Sequence, residues 1–265
     1  MFGRILLFGY GNMASAMLEG WLASGLQPAL FNVYNPRTKP VPEGVAFTDK
    51  VPDDPFDAVI LGVKPQRLGE VAGDAEPLVG PGTVMVSLLA GVDLATLAEL
   101  FPRAGGVARL MPNLAVAIGK SPNALVERGL GAAERAALTD LAMRLGSAEW
   151  FADETQFDLV TALTGSGPGF VYRFIEALAG GATELGLDAV QAERLAVQMV
   201  EGAAALAANS ADPPSELARR VASKGGMTQC GLDILDDKDA LRLLVTRCLA
   251  AARDRGRELA AAARD

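Results

Sequence analysis

The sequence predicts an α/β domain followed by an all-helical domain. Up to about residue 150, short apolar runs typical of β-strands alternate with helical stretches, and this order favours parallel strands joined by helical crossovers. From about residue 152 onward the strand patterns stop and long helical patterns follow. We therefore predict one domain over residues 1–151 and a second over residues 152–265, packed together because no low-complexity linker separates them.

Composition and charge exclude several classes of partner. The 265-residue chain is half apolar and has a formal net charge of -8, so neither nucleic acid nor an anionic membrane is expected as its main partner. Its apolar runs are shorter than the ~18 residues of a membrane span, and we expect a cytoplasmic protein that acts on a small molecule. The chain has no histidine, which removes the commonest general base and most zinc sites. No metal is expected, and Cys230 and Cys248 are expected as small core residues.

The first predicted strand ends in a glycine turn. The segment GYGNMA contains Gly9, Gly11 and Ala14 in the pattern G-x-G-x-x-A, directly after a strand and at the start of a helix. There Gly9 allows the tight turn, Gly11 lets a pyrophosphate approach the backbone, and Ala14 permits close helix packing. We predict a Rossmann-type dinucleotide-binding domain with Gly9, Gly11, Asn12 and Met13 at the cofactor; a glycine turn without a ligand is the alternative. The strand candidates are RILLF, LFNVY, DAVILGV, TVMVSL and GVARLM.

The end of the second strand indicates which dinucleotide binds. A cofactor with a free ribose 2′-hydroxyl is usually met there by Asp or Glu, whereas this chain has Asn35, Arg37 and Thr38. The guanidinium of arginine can donate two parallel hydrogen bonds to a phosphate. We therefore predict NADPH as the cofactor, with NADH possible but weaker; a solvated surface arginine is the alternative.

Three further segments that follow predicted strands are expected at the same edge of the sheet. The segments GVKPQ, SLLAG and RLMPN each follow a predicted strand, and open α/β folds bind ligands at the carboxyl ends of their strands. Each segment alone could be a plain loop, but together they predict a nicotinamide pocket. The predicted cofactor-binding residues in these segments are Val63, Lys64, Pro65, Leu89, Ala90 and Asn113.

The helical half has apolar residues on more than one helix face. The segment FVYRFIEALAGGATELG would expose too much apolar surface in a single copy, so we predict an obligate homodimer, with larger oligomers built from it. In the next helix Asp188 and Gln191 are spaced like an N-terminal capping box. One apolar face of that helix consists of Leu195, Met199, Ala203 and Leu206.

Several of these segments resemble one enzyme family. GYGNMA, GVKPQ, SLLAG, MPN and TALTGSGPGFVYRFIEAL occur in the same order as motifs of pyrroline-5-carboxylate reductases, the enzymes of the last step of proline synthesis. The most specific parts are GSGPG and SKGGMT. At the second segment the family typically reads S-P-G-G-T-T or S-P-G-G-A-T, and Thr228 matches the last threonine of this pattern. The departures from the family pattern are Leu114, Ala115, Gly169, Lys224 and Met227.

The resemblance implies a Rossmann domain with a helical dimerisation domain and the NADPH-dependent reduction of 1-pyrroline-5-carboxylate to L-proline by hydride transfer. It also implies an imine site between the nicotinamide and the Gly-Gly segment, often contributed by the partner subunit. Glu154 aligns with a family position that approaches the ring nitrogen, where a negative charge favours the iminium; a solvated carboxylate is the alternative. The predicted substrate-binding residues are Ser223, Gly225, Gly226, Met227, Thr228 and Glu154.

The adjacent glycines also suggest this site by themselves. Glycine destabilises a helix by roughly 1 kcal/mol relative to alanine, so a chain that keeps two in a helical region needs bare backbone there. Gly225 and Gly226 precede a helix predicted to begin near Thr228, whose free amide groups can hold a carboxylate; a simple helix-helix turn is the alternative. A cyclic imine readily takes a proton by itself, so the enzyme mainly orients it and lends a hydrogen bond, and Thr228 is the predicted catalytic residue.

Two other functions compete with this interpretation. A β-hydroxyacid dehydrogenase, or another NADP-dependent imine or hydroxyacid oxidoreductase, would share the two-part architecture. The hydroxyacid enzymes require a catalytic lysine in the second half, and the chain has no lysine between Lys120 and Lys224. A non-catalytic NADP-binding regulator would keep the glycine turn but would need neither GSGPG nor SKGGMT.

Overall fold

The computed structural model describes residues 1–262 and divides into two compact units. The first unit comprises Met1–Ser166 together with the segment from Ala251 onward, and the second comprises Gly167–Ala250. The domain boundary near residue 151 stays a prediction. Residues 263–265 of the predicted second domain lie outside the described residues.

The first unit is built on one β-sheet. Its strands are β1 (Ile5–Phe8), β2 (Phe31–Tyr34), β3 (Ala46–Thr48), β4 (Ala58–Leu61), β5 (Val84–Ser87), β6 (Gly106–Met111), β7 (Ser121–Arg128) and β8 (Gly146–Trp150). Their order across the sheet is β3-β2-β1-β4-β5-β6-β7-β8. Neighbouring strands are parallel except β6 and β7, which are antiparallel. The first six strands therefore have the doubly wound order in which ligands bind at the carboxyl edge.

All five predicted strands are present, and three strands were missed. β3 has only three residues, which is too short for a period-2 pattern to be recognised. β7 begins with Ser121 and Pro122, and β8 reads GSAEW, so neither has the continuous apolar run of the central parallel strands. The predicted α/β architecture followed by an all-helical region is confirmed.

Helices cover both faces of the sheet. Ile5 and Leu7 of β1 belong to one buried apolar cluster, and Leu6 and Phe8 belong to the other. The central strands are therefore buried on both faces, which explains why they read as unbroken apolar runs. The helices are α1 (Asn12–Ala23), α2 (Leu68–Ala75), α3 (Leu94–Leu100), α4 (Ala132–Met143), α5 (Phe157–Thr164), α6 (Gly167–Glu184), α7 (Ala189–Asn209), α8 (Pro214–Val221), α9 (Met227–Asp236) and α10 (Ala240–Ala262).

The second unit is helical and buries almost none of its side chains. The carboxylate of Asp188 accepts a hydrogen bond of 3.0 Å from the backbone N–H of Gln191, which confirms the predicted cap of α7. The apolar face predicted on α7 is not covered within the chain, since Met199 is 50% exposed and Leu206 is 72% exposed. Among the described residues of this unit only Ala192 and Ala196 are buried.

The two cysteines differ from the expectation that they are core residues. Cys230 is exposed and Cys248 is only partly buried, because the helical unit of a single chain has no sizeable core of its own. No helix in the described part of the chain is both long and apolar enough to cross a membrane.

Candidate active site

The glycine turn after β1 packs directly against the end of β4. Gly9 has a φ of +94°, and a Cβ atom there would lie 2.7 Å from Cγ1 of Val63. A Cβ atom on Gly62 would lie 2.6 Å from the carbonyl oxygen of Gly9 and 3.1 Å from Cβ of Ala14. The geometry therefore agrees with the predicted roles: Gly9 forms a tight turn that a larger residue could not adopt, and the small side chain of Ala14 allows close packing. Gly62 was missed, although its position directly after an apolar strand could have indicated it.

The helix that follows this turn has an open N-terminus. α1 begins at Asn12 with Gly11 as the capping residue, and no side chain among the described residues caps it. The N–H groups of a first helical turn lack intrahelical partners, and they and the helix dipole favour an anion. A Cβ atom on Gly11 would come no closer than 3.6 Å to protein atoms, so the protein itself leaves this approach open. The arrangement suits the pyrophosphate of a dinucleotide.

The loop after β2 is tied to the glycine turn by side chains. Oδ1 of Asn35 accepts a hydrogen bond of 3.3 Å from the N–H of Tyr10, and Nδ2 of Asn35 donates one of 2.5 Å to the carbonyl of Arg37. Nζ of Lys39 donates one of 2.6 Å to the carbonyl of Tyr10. The Arg37 side chain is exposed. Lys39 was missed by the sequence reasoning, although a second basic residue in NPRTK could have indicated it.

These elements enclose a cleft of about 530 Å³ at the carboxyl edge of the sheet. Its charged lining residues are four cations and two anions, so the cleft favours an anionic ligand although the chain is acidic overall. Burial, and to a lesser degree the nearby carboxylate of Asp74, raise the pKa of Tyr34 in this lining, so its phenol stays protonated near neutral pH. The charged lining residues are Arg37, Lys39, Lys64, Arg67, Glu70 and Asp74.

The other predicted cofactor residues lie along the same edge but do not all line this cleft. Val63 and Lys64 line it, and Pro65 begins the short 3-10 helix Pro65–Arg67. Leu89 and Ala90 follow β5, the next strand of the sheet after β4, and the backbone N–H of Leu89 donates to Oγ of Ser87 at 3.2 Å. Their contact with the cofactor stays a prediction.

Asn113 follows β6, which is the neighbour of β5 in the sheet. Its side chain forms hydrogen bonds within the protein. Oδ1 accepts a hydrogen bond from the N–H of Ala115, and Nδ2 donates one to the carbonyl of Thr164, both at 2.9 Å. These bonds fix the strand end against the last residue of α5. The predicted contact between Asn113 and the cofactor stays a prediction.

Glu154 is held by an arginine from the centre of the sheet. Nη1 of Arg109 lies 2.7 Å from Oε1 of Glu154, and the N–H of Leu94 donates to both carboxylate oxygens at 2.9 and 3.2 Å. Glu154 is therefore ion-paired and only partly exposed rather than freely solvated. The predicted contact of Glu154 with a ring nitrogen stays a prediction. Arg109 was missed, although an arginine inside the apolar strand GVARLM could have indicated it.

The Gly-Gly segment forms an open helix start in the second unit. Gly225 has a φ of +73°, which favours glycine, and the N–H of Gly226 donates to the carbonyl of Ser223 at 2.8 Å. α9 then begins at Met227, one residue before the predicted start, and no described side chain caps it. Met227 and Thr228 are exposed. An uncapped helix start beside bare backbone can bind a carboxylate.

The sheet order, the glycine turn and the basic cleft define a dinucleotide-binding protein of the Rossmann class. Pyrroline-5-carboxylate reductase of Pseudomonas aeruginosa is 32% identical to the chain, over 97% of each sequence. The chain belongs to the pyrroline-5-carboxylate reductase family.

Further comparisons agree with this family. The model for pyrroline-5-carboxylate reductase dimerisation matches residues 154–259. A pyrroline-5-carboxylate reductase structure from Coxiella burnetii covers 97% of this chain and 98% of its own, with a TM-score of 0.88 and 27% identity. A Plasmodium falciparum pyrroline carboxylate reductase with NADP bound has the same fold, with a TM-score of 0.83 at 22% identity and coverage of 97% and 98% of the two chains.

Proposed function

We propose that the chain reduces 1-pyrroline-5-carboxylate to L-proline with NADPH as the hydride donor. The observation that supports this most strongly is the open start of α9, where Gly225 and Gly226 leave bare backbone directly before Met227 and Thr228. A dinucleotide-binding regulator would need no such feature. Membership of the pyrroline-5-carboxylate reductase family agrees with the same function.

The basic cleft suits NADPH better than NADH. Arg37 and Lys39 stand where an acidic residue would bind the ribose hydroxyls of NADH, and a guanidinium forms strong charge-assisted bonds to phosphate. The open N-terminus of α1 would hold the pyrophosphate. When bound, the dihydronicotinamide supplies the hydride that reduces the imine. The residues proposed to surround the nicotinamide end are Val63, Lys64, Pro65, Leu89, Ala90 and Asn113.

The imine site is proposed at the start of α9. The backbone N–H groups of Met227 and Thr228 lack intrahelical partners and would hold the substrate carboxylate, with Ser223 beside them. The Thr228 hydroxyl would donate a hydrogen bond to the ring nitrogen. The imine carbon gains a hydride and the nitrogen gains a proton, so the C=N bond becomes the C–N bond of proline. Because the imine takes that proton readily from water, the reaction needs no histidine.

We also propose that the working form is a homodimer or a larger assembly of dimers. Few side chains in the helical unit are buried within one chain, and its helices expose large apolar residues. Exposed apolar patches of this extent typically mark a protein-protein interface. Since these residues belong to the region matched by the dimerisation model, a second copy of the chain is the proposed partner, and the imine site of one copy would be completed by the other. The cytoplasmic location and the absence of a nucleic-acid partner stay predictions.

One assay separates this function from its competitors. Purified protein is mixed with NADPH and 1-pyrroline-5-carboxylate, and the loss of NADPH absorbance is followed. The same protein is then mixed with NADP and a set of hydroxyacids. Reduction of the imine without oxidation of hydroxyacids is expected. Oxidation of a hydroxyacid alone would assign the hydroxyacid class, and binding of NADPH without turnover of either substrate would assign a regulator.

A further inference from the structure

The Arg109–Glu154 ion pair connects the centre of the sheet to the loop that follows β5. Arg109 lies on β6 in register with Ser87, the last residue of β5, and its side chain is only 4% exposed. Nη1 reaches the carboxylate of Glu154, and the guanidinium carbon lies 4.5 Å above the centre of the Phe157 ring. Arg109 thus contacts the segment that begins α5 from inside the sheet.

The carboxylate of Glu154 in turn holds the start of α3. Both of its oxygens accept from the N–H of Leu94, the first residue of α3, which lies 60 positions away in the sequence. The second cap of this helix is local, since Oδ1 of Asp93 accepts from the N–H of Thr96 at 2.8 Å. A negative charge at a helix N-terminus is favourable. The Glu154 contact therefore fixes where the loop of residues 88–93 ends.

Stability alone does not account for this pair. Nε and Nη2 of Arg109 are buried and have no hydrogen-bond partner among the described residues, and unsatisfied buried donors destabilise the folded state. Apolar residues of similar volume often replace a buried ion pair with no loss of stability. What the pair provides instead is an acceptor held at the Leu94 N–H, directly after the loop that contains Leu89 and Ala90.

We infer that Arg109 and Glu154 are positioning residues that hold the loop of residues 88–93 in place for the nicotinamide end of NADPH. This inference rests on the proposed function for the identity of the cofactor. Arg109 orients the Glu154 carboxylate, Glu154 binds the Leu94 N–H, and the start of α3 then sets the path of the loop. In this role Glu154 acts on the cofactor pocket rather than on the imine nitrogen.

Two double variants test the inference. Arg109→Met/Glu154→Leu removes both charges and the acceptor for the Leu94 N–H, whereas Arg109→Met/Glu154→Gln removes both charges but keeps an acceptor. Both variants avoid an unpaired buried charge, and the leucine variant should have the lower Tm because its Leu94 N–H loses its acceptor. The dissociation constant of NADPH, measured from its fluorescence without any imine, should rise about 10-fold in the leucine variant relative to the glutamine variant. The rate of hydride transfer in a single turnover should fall with it.

A control pair of the same chemistry lies on the surface of the same unit. Nε of Arg103 lies 2.6 Å from Oε1 of Glu76. Glu76 precedes β5 and Arg103 precedes β6, so the pair lies at the amino ends of these strands, whereas the loop of residues 88–93 follows the carboxyl end of β5. Arg103→Met/Glu76→Leu should therefore leave NADPH affinity unchanged. Equal NADPH affinity in the leucine and glutamine variants would overturn the inference, and so would a rise in the KM for the imine with unchanged NADPH affinity. If the wild-type protein does not reduce the imine, the proposed function fails, but the two NADPH dissociation constants still test the role of the pair.

Discussion

The ammonium group of Lys39 donates a hydrogen bond of 2.6 Å to the backbone carbonyl of Tyr10. This bond ties the loop after β2 to the glycine turn after β1. The neighbouring cation, Arg37, has an exposed side chain in the same cleft. The two basic residues therefore have different expected roles: Lys39 holds the turn that either nicotinamide cofactor would use, and Arg37 is available to a 2′-phosphate.

Replacing Arg37 with alanine should weaken NADPH far more than NADH. The lost contact is a charge-assisted hydrogen bond to phosphate, so the expected loss in NADPH binding is about 1.5 to 3 kcal/mol. Dissociation constants for both cofactors, measured by titration, check this. An equal loss for the two cofactors would place the 2′-phosphate elsewhere.

Replacing Lys39 with methionine should weaken NADPH and NADH by similar factors. Methionine keeps much of the side-chain volume but removes the donor to the Tyr10 carbonyl, and the turn at Gly9 and Gly11 then loses one support. The same titrations measure the effect. If only NADPH is weakened, Lys39 binds the 2′-phosphate directly and its bond to Tyr10 does not matter for cofactor affinity.

The helical unit should form a dimer through its apolar faces. Met199 is half exposed in the single chain, so Met199→Glu should place a charge in the interface and shift the assembly toward monomer. Glu201→Gln on the same helix, which removes a charge from an exposed position, is the matched control. Light scattering at assay concentration gives the molar mass. A monodisperse wild-type monomer with full activity would end the assembly proposal.

A side chain at Gly226 should disturb the imine site without affecting the cofactor. Its φ of -81° is accessible to any residue, but a Cβ atom would overlap Oγ of Ser223. We expect Gly226→Val to raise the KM for the imine strongly while NADPH binds normally. Gly231→Ala, in the same helix with no protein atom within 4 Å of the added Cβ, is the control. A normal KM in the valine variant would move the carboxylate site away from α9.

Removing the Thr228 hydroxyl should slow the chemical step. A single oriented donor typically contributes about 10- to 1000-fold to kcat, so Thr228→Ala should lower kcat by a factor in that range with little change in NADPH affinity. Thr228→Ser restores the hydroxyl and should recover much of the rate, whereas Thr228→Val keeps the shape and should not. Equal rates for serine and valine would make Thr228 a packing residue.

Short-range sequence patterns predicted the glycine turn after β1 and the start of α9 well. The turn at Gly9, the start of α1 and the start of α9 each depend on a few consecutive residues, and the structure has them within one residue of the predicted positions. Backbone requirements of this kind are local, so a motif of glycines and small residues is enough to indicate them.

Contacts between distant segments could not be predicted in the same way. Glu154 lies 45 positions from Arg109 and 60 from Leu94, so no spacing rule connects them. The apolar pattern of α7 also did not show that Met199 and Leu206 lie exposed within a single chain. In both cases the energetics depend on tertiary or quaternary neighbours.

The proposed reduction is tested most directly by tracing the hydride. Wild-type protein is given 1-pyrroline-5-carboxylate and NADPH that has deuterium at its transferable position, and the product is analysed by mass spectrometry and NMR. The account predicts L-proline with one deuterium on the ring carbon bonded to nitrogen and remote from the carboxylate, formed in equal amount to the NADPH consumed. Unlabelled proline, or no proline at all with the imine unchanged, would contradict it.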